Sequence, residues 1–344
     1  MSGSHPETLR LGVLDQSIAA EGRPQAEAIR NTVALAEHCE RLGYDRFWVS
    51  EHHNHPTIVG TAPEILVAGM AARTSRIRIG SAGVMLPHYA PFKVAEQFRV
   101  LDALAPGRID LGLGRAPGSD GLTAFALNPR ANERPAEFPA DIRDLQAWLK
   151  AEPLVEGHPF SRLGAFPQGD TAPQIWLLGS SNYGAQVAAW FGLPYAFAWF
   201  FTDGQGAREA LDLYRAQYRP SADWPVPHAA ICVWALAADS EEEAAFHLGP
   251  RLRWRLGRER GMFLPLESAE KAAAHDYSDD ETARIVRLRG QAIAGQPEPV
   301  VERIRTIGAA LGVDEIAIVT WTHDESVRRR SYELIARAWG LAPC

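Results

Sequence analysis

Residues 77–114 read IRIGSAGVMLPHYAPFKVAEQFRVLDALAPGRIDLGLG, and the pattern within them recurs along the whole chain. The segment begins and ends with a short apolar run, which is typical of a buried strand. Between the runs, four apolar residues recur at steps of four, three and four, the spacing of one helix face: Val94, Phe98, Leu101 and Ala105. Pro106-Gly107 ends this pattern before the second run. The segment therefore predicts a strand, a helix and a second strand.

Eight such runs occur, and their near-continuous hydrophobicity is typical of parallel strands buried on both faces. They are LGVLD from Leu11, RFWVS from Arg46, IRIGSAGVML from Ile77, RIDLGLG from Arg108, QIWLLG from Gln174, YAFAWFF from Tyr195, AAICVWALA from Ala229 and EIAIVT from Glu315. Five of the seven intervals between run starts are 21 to 35 residues, which suits one strand and one helix. We expect one α/β domain over residues 1–344, a single (β/α)8 TIM barrel, with a doubly wound sheet as the alternative.

The two long intervals, residues 116–173 and 238–297, follow the fourth and seventh runs. Both are expected to be insertions at the C-terminal face, where the loops of a barrel build its active site. Residues 125–166 and 251–277 are therefore candidate lids or substrate walls.

Composition is that of an ordinary globular protein, with 46% hydrophobic and 22% charged residues among 344. The 35 basic and 42 acidic residues give a net charge of −7, and the basic residues are scattered. Neither nucleic acid nor an anionic membrane is an expected partner.

Cysteine usage and the chain start both indicate a cytoplasmic protein. The three cysteines, Cys39, Cys232 and Cys344, are far apart and form no CxxC pair, which favours a reducing compartment. The first ten residues lack an apolar core, and no stretch of 18 uncharged apolar residues occurs. We therefore expect no leader and no membrane span.

The second run ends in a cluster of titratable groups: Glu51, His52, His53 and His55. A histidine at the end of a barrel strand could handle protons near neutral pH, although a solvated polar loop would look the same. A metal site would need further ligands from other strands, and only residues 323–324 could help. No metal is expected.

Two later strand ends suggest a phosphate site. Gly114-Arg115 combines close backbone approach with a planar donor fork. Gly179, Ser180 and Ser181 precede a predicted helix, whose free N–H groups stabilise an anion, although plain N-capping is the alternative. Dinucleotide and Walker A fingerprints are absent, so a phosphorylated ligand held by a barrel is favoured.

The third run places Ser81, Ala82 and Gly83 at its end, where a flat ring could lie against the backbone. Small residues that merely serve barrel packing are an equally good explanation.

Three segments together resemble the bacterial luciferase-like, flavin-dependent monooxygenases. They are DRFWVSEHHN from Asp45, GSAGVMLPHYAPFKVAEQFRVLDALAPGRIDLGLGRAPG from Gly80 and LLGSSNYGAQVAAWFGLPYAFA from Leu177. The likeness covers roughly residues 11–201, returns near Glu315 and is weakest in the two insertions.

The resemblance implies reduced FMN as cosubstrate, bound at the mouth of the barrel. Reaction with O2 would give a C4a-peroxyflavin that oxygenates a small organic substrate. Because the sequence has no dinucleotide fingerprint, a separate NAD(P)H:flavin reductase is the expected partner. Relatives are commonly homodimers that meet through helices near the second and third strands, so a homodimer is expected.

The resemblance also implies roles for individual residues. His52 would handle the proton, and Glu51 would orient His52 or the flavin edge. Ala82-Gly83 would lie under the flavin ring, joined by a non-prolyl cis peptide, with Ser81 beside them. The phosphate would contact residues from two strand ends: Gly114, Arg115, Gly179, Ser180, Ser181, Asn182, Tyr183 and Gly184. Trp199 and Trp321 are expected to wall the pocket.

Two departures from the family pattern limit these expectations. The luciferase cysteine and aldehyde-binding loop have no match, with Leu113 standing before Gly114-Arg115, so light emission is not expected. No motif separates FMN from the deazaflavin F420. An F420-dependent dehydrogenase or reductase and a non-catalytic flavin-binding protein are the alternatives.

Overall fold

The computed structural model describes residues 9–130 and 133–343. Residues 1–8 and Cys344, on which part of the leader and cysteine expectations rests, lie outside the described residues. The strands of the described chain are β1 (Arg10–Asp15), β2 (Arg46–Val49), β3 (Arg78–Met85), β4 (Ile109–Gly114), β5 (Gln174–Gly179), β6 (Tyr195–Phe197), β7 (Ala229–Ala237), β8 (Ile293–Gly295) and β9 (Glu315–Val319).

Eight of these strands close into a barrel. Their order is β6, β5, β4, β3, β2, β1, β9, β7, and β6 pairs with β7 to complete the ring. Every pairing between them is parallel. The predicted TIM barrel is confirmed, and the doubly wound alternative is wrong because an open sheet would leave β6 and β7 unpaired.

Helices surround the barrel and fill its connections. They are α1 (Gln25–Arg41), α2 (Pro63–Ala71), α3 (Pro91–Leu104), α4 (Gly121–Leu127), α5 (Phe138–Lys150), α6 (Asn182–Phe191), α7 (Trp199–Thr202), α8 (Ala207–Gln217), α9 (Glu241–Glu259), α10 (Ala269–Ala273), α11 (Asp279–Gln291), α12 (Pro297–Leu311) and α13 (Glu325–Trp339). The outer wall is made by α1, α2, α3, α5, α6, α8, α12 and α13, one after each barrel strand. Two short 3₁₀ turns lie at Leu86–His88 and Arg134–Ala136.

Both predicted insertions are present, after β4 and β7. The first, residues 116–173, also contains α5, which is a regular wall helix, since Trp148 packs edge-on against Phe92 of α3 with ring centroids 5.1 Å apart. The second holds α9, α10, α11 and the short strand β8, which extends β7 near the barrel mouth through the pair Ala235 and Ile293. The sequence did not indicate β8, because three residues carry no periodicity.

Apolar side chains form two clusters. The larger lies between the strands and the wall helices. The smaller fills the barrel interior, with Trp48 and Trp176 at ring centroids 5.1 Å apart, and continues upward to Leu248 and Leu252 of α9. Because α9 packs on this inner cluster, the second insertion covers the C-terminal end of the barrel.

Candidate active site

A cavity of about 290 Å³ opens at the C-terminal ends of the strands. Its wall contains most of the residues that the sequence selected: His52, Ala82, Gly83, Gly114, Arg115, Gly179, Ser180, Ser181, Tyr183 and Gly184. These residues come from the ends of β2, β3, β4 and β5, which adjoin one another in the ring. Parallel strands bring them together because all their carboxyl ends meet at one face.

His52 faces the cavity as a neutral imidazole. Its Nδ1 lies 3.3 Å from the hydroxyl of Ser50, which also lines the cavity. Burial, and then the neighbouring His55 and His53, lower the pKa of His52 to about 4. At neutral pH the ring therefore carries one proton and can both donate and accept a hydrogen bond.

Glu51 is completely buried and lies outside the cavity wall. Its Oε1 accepts a hydrogen bond from the Tyr89 hydroxyl at 2.7 Å and lies 2.6 Å from Nε2 of His53. Its Oε2 accepts from the Met85 backbone N–H at 3.1 Å. The partner of His52 is therefore Ser50 rather than Glu51. Tyr89 is 38 residues from Glu51 along the chain, and no sequence pattern predicted this pair.

The end of β3 combines a cis peptide with an irregular strand. The bond between Ala82 and Gly83 is a non-prolyl cis peptide, as the family resemblance implied. The register with β4 shifts between Ser81 and Val84. A Cβ on Gly83 would lie only 2.6 Å from the Gly112 carbonyl oxygen, so this position admits no side chain.

Ser81 does not line the cavity. It is fully buried, and its hydroxyl both donates to the Gly112 carbonyl and accepts from the Gly112 N–H, each at 3.1 Å. Its position thus ties β3 to β4 directly behind Ala82 and Gly83.

The opposite side of the cavity is suited to an anion. The Arg115 guanidinium lies 3.8 Å from the Tyr183 ring centre, and within the described residues no carboxylate pairs with it. Ser181 is the N-cap of α6, but its side chain makes no capping hydrogen bond. Asn182 instead donates to Glu209 at 2.7 Å. The first N–H groups of α6 therefore lack side-chain acceptors, and an unpaired cation lies beside them.

The rest of the wall is mainly apolar. Residues that the sequence did not select include Gln16, Trp48, Phe138, Leu178, Phe200, Phe201 and Cys232. Trp321 contributes indirectly, since its Nε1 donates to Oε1 of Gln16 at 3.1 Å. Trp199 lies outside the wall, where Phe200 and Phe201 stand instead. Sequence could not make this choice, because the short helix α7 turns successive aromatic side chains in different directions.

Cys39 and Cys232 are buried free thiols. In residues 9–130 and 133–343, no group of three or more His, Cys, Asp or Glu side chains is arranged to hold a metal ion. None of the helices described there is long and apolar enough to cross a bilayer.

Comparison with known proteins assigns this TIM barrel to a family of oxidoreductases. The sequence model described as luciferase-like monooxygenase matches residues 9–315, and the chain belongs to this family.

Two relatives in Bacillus subtilis (strain 168) match almost the whole chain. The uncharacterized protein YwcH is 44% identical over 333 residues, covering 96% of this chain and 98% of its own. N-acetyl-S-alkylcysteine monooxygenase is 36% identical over 331 residues, covering 96% of this chain and 98% of its own.

Among solved structures, apo-MsnO8 superimposes with a TM-score of 0.88 at 36% identity, covering 98% of this chain and all of its own. The oxygenating constituent of 3,6-diketocamphane monooxygenase of Pseudomonas putida, in complex with FMN, has a TM-score of 0.71 at 20% identity, covering 98% of each chain. An F420-dependent secondary alcohol dehydrogenase has a TM-score of 0.62 at 16% identity, covering 96% of this chain and 99% of its own. The last two likenesses show the fold alone.

Proposed function

We propose that this protein is a monooxygenase that uses reduced FMN and O2 to oxygenate a small organic substrate. The observation that carries the proposal is one cavity with two unlike sides. One side of the cavity carries the Arg115 cation and the open N-terminus of α6. The other side is apolar and includes a backbone segment of small residues. A ligand with a phosphate group at one end and a flat, apolar ring at the other would fit these two sides.

The anion side would hold the phosphate. Arg115 would supply a charge-assisted donor fork, and the α6 N-terminus, with the Ser180 and Ser181 hydroxyls, would supply further donors. Because the guanidinium stacks on Tyr183 and forms no ion pair within the described part of the chain, phosphate binding would break no ion pair seen there.

The opposite side would hold the ring. Ala82 and Gly83 present backbone without a bulky side chain, and Trp48, Leu178 and Phe138 supply apolar contact. The bound flavin would supply the electrons that activate O2. The apolar walls would exclude water from the reacting groups.

His52 would handle the proton. Its neutral ring can donate to a developing negative charge or accept a proton from substrate, with Ser50 holding Nδ1. Glu51 would act from behind the wall, since its contacts to Tyr89 and the Met85 N–H hold the end of β2 against that of β3.

Two alternative functions use the same fold. A hydride-transferring F420 enzyme is the first, in line with the F420-dependent fold neighbour. A non-catalytic flavin-binding protein is the second, and the retention of His52 beside the cavity argues against it.

We also propose a partner enzyme, an oligomeric state and a cellular compartment for the protein. A separate NAD(P)H:flavin reductase would deliver reduced FMN, the protein would act as a homodimer, and the cytoplasm would be its compartment. The relative named N-acetyl-S-alkylcysteine monooxygenase makes small thioether amino-acid derivatives a reasonable first substrate class to test.

The deciding experiment is anaerobic titration of the protein with photoreduced FMN and with reduced F420, followed by mixing with oxygenated buffer. We expect FMN to bind and to return to its oxidised spectrum more slowly than free FMN, with little hydrogen peroxide released when substrate is present. Tight F420 binding without FMN binding would favour the dehydrogenase, and immediate stoichiometric peroxide in every condition would contradict the monooxygenase.

A further inference from the structure

One face of helix α9, above the mouth of the barrel, carries a row of three arginines. Arg251, Arg255 and Arg258 stand at intervals of four and three, so they share one face of the helix. Asp203 forms two hydrogen bonds with Arg255, at 3.1 and 2.6 Å. Within the described residues no carboxylate lies within ion-pair distance of Arg251 or Arg258, although Asp203 acts on Arg251 and Glu259 on Arg258 from further away. Three arginines against these two carboxylates leave the face positive, although the whole chain has a net charge of −7.

Arg251 is the unusual member of the row. Only 7% of its surface is exposed, and no acceptor in the described part of the chain hydrogen-bonds to its guanidinium. Burial, followed by the nearby cation of Arg255, lowers the pKa of Arg251 to about 9, so the group is still charged at neutral pH. None of its nitrogens is among the fully buried atoms that lack a partner in the described structure, so the guanidinium keeps some contact with solvent and is open to an anion.

A second unpaired donor adjoins it. The Arg251 guanidinium carbon lies 4.2 Å from the ring centre of Trp234, and Nε1 of Trp234 is buried with no hydrogen-bond partner in the described structure. The Arg251 guanidinium and an unpaired indole N–H thus lie side by side at the upper end of β7. An oxyanion bound here would accept hydrogen bonds from both.

This pair is close to the cavity. Trp234 and Cys232 belong to the inner apolar cluster and are two residues apart on one face of β7, and Cys232 lines the cavity. Two residues of strand span roughly 7 Å, which is within the length of a small substrate. Asp203, which holds Arg255, immediately follows α7, whose Phe200 and Phe201 also line the cavity.

We propose that Arg251, with the indole N–H of Trp234, binds an oxyanion of the substrate, so that the enzyme acts on small organic acids with a carboxylate or sulfonate group. The oxygenation of such an acid rests on the proposed function, whereas the oxyanion site does not. The anionic end would lie under α9, and the rest of the substrate would extend past Cys232 toward His52. Arg255 and Arg258 would attract the anion electrostatically without direct contact.

The test measures ligand binding without turnover. Protein saturated with oxidised FMN, and flavin-free protein, are titrated with straight-chain carboxylates of two to eight carbons, the matching sulfonates and the matching neutral amides. Binding is followed by calorimetry and by tryptophan fluorescence, since Trp234 and Trp254 lie beside the proposed site. The variants are Arg251→Gln and Arg251→Met, and the control is Arg219→Gln, which removes an arginine stacked at 3.2 Å on the surface residue Trp190.

We expect wild type and Arg219→Gln to prefer an anion over its amide, and both Arg251 variants to bind that anion on the order of 10- to 100-fold more weakly. The carboxylate and sulfonate series identify which oxyanion the site prefers. Ligand-free Arg251→Met should have a Tm at least as high as that of wild type, because it loses an unpaired buried charge.

Equal affinity for anions and amides, absence of binding across the series, or unchanged anion affinity in Arg251→Gln would each overturn the proposal. A markedly lower Tm with wild-type anion preference would make Arg251 a packing residue. Failure of FMN to bind while the anion preference persists would overturn the proposed function and leave the oxyanion site standing.

Discussion

Charged side chains at the mouth of the barrel fall into two groups, those with protein partners and those without. Glu51 has three partners, and each oxygen accepts a hydrogen bond. Within the described residues Arg115 and Arg251 are stacked on aromatic rings with no acceptor. A cation without a protein partner beside a cavity is free to bind an anion, and the buried indole N–H of Trp234 beside Arg251 still lacks an acceptor, so the second group indicates where ligands bind.

Arg115→Gln tests the anion side at the level of one residue. We expect its affinity for FMN to fall on the order of 10- to 100-fold, whereas its affinity for riboflavin, which lacks the phosphate, should be little changed. Fluorescence quenching of each flavin measures both constants. Arg219→Gln, a stacked surface arginine away from the cavity, serves as control, and an equal loss for both flavins would contradict phosphate binding by Arg115.

His52 gives a prediction for pH dependence. Its pKa is lowered to about 4 in the folded protein, so between about pH 6.5 and 4 the unfolded chain binds a proton that the folded protein does not. Stability is therefore lost as pH falls through this window, by about 3 kcal/mol from His52 alone. His52→Asn should lose less stability across that range in urea unfolding. Between pH 7 and 8 the free energy of unfolding should change with pH equally in wild type and His52→Asn. If the two proteins show the same pH dependence at every pH, His52 does not have a lowered pKa.

The sequence was sufficient to select many residues of the cavity wall, but not the side chains that these residues contact. Arg115, Ser180 and Gly83 could be selected because strand ends of a parallel barrel share one face. The Tyr89 partner of Glu51 could not be found, because its hydroxyl is brought there by the turn after β3. The sequence did not single out Arg251 either, since one arginine among the four of α9 differs from the rest only by burial.

At the scale of elements, β3 and β4 approach each other through glycines. A Cβ on Gly112 would contact the Ser81 carbonyl oxygen, and one on Gly80 would contact the Asp110 carbonyl oxygen. Because these positions are glycines, β3 and β4 lie closer together than residues with side chains would allow. The cis segment at Ala82 and Gly83 lies on this pair of strands.

Gly112→Ala should lower the free energy of unfolding by about 1–3 kcal/mol, because backbone atoms must move to admit the methyl group. Gly290→Ala on α11 is the matched control. A Cβ there meets nothing within 4 Å, so the change should add about 0.5–1 kcal/mol through helix propensity. Chemical denaturation measures both, and a neutral Gly112→Ala would contradict the close approach.

The elements predictable from sequence were those with a long apolar period. The continuous runs predicted all eight barrel strands, and the helix stripe from Val94 to Ala105 predicted α3. The wall helix α5 was placed inside an insertion, because short turns and α4 separate it from β4. A helix of the barrel wall is distinguished from a helix of an insertion by its tertiary contacts, not by its periodicity.

At the scale of the whole molecule, a buried ionic network joins strands around the lower barrel. Arg46 of β2 pairs with Asp110 of β4 and, at 2.9 Å, with Glu315 of β9. His228, just before β7, lies 2.8 Å from Glu315. Burial alone would raise the pKa of Glu315, but the charge of Arg46 and the hydrogen bonds with His228 and Arg46 hold it well below its usual range.

Arg46→Met should destabilise the barrel by about 3–5 kcal/mol, because two buried carboxylates lose their shared partner. Arg10→Gln is the control, since exposed Arg10 lies 3.5 Å from the same Glu315 and should contribute about 0–1 kcal/mol. Urea unfolding at neutral pH compares the two. Equal, small effects would show that the network tolerates an unpaired carboxylate, contrary to this expectation.

Assembly is the remaining property of the whole molecule, and the proposed dimer can be tested at two exposed residues. Ile65 of α2 and Leu104 of α3 are 69% and 59% exposed on helices that follow the second and third strands. Ile65 lies in the first turn of α2 and Leu104 at the end of α3, so an isologous two-fold contact that uses both residues would run along the length of these two helices. We expect sedimentation equilibrium to give a dimer for wild type and a monomer for Ile65→Glu combined with Leu104→Glu. Val286→Glu, which places a charge on α11 at a residue 65% exposed, should remain a dimer. A wild-type monomer, or a dimer that survives both glutamates, would exclude this face as the contact.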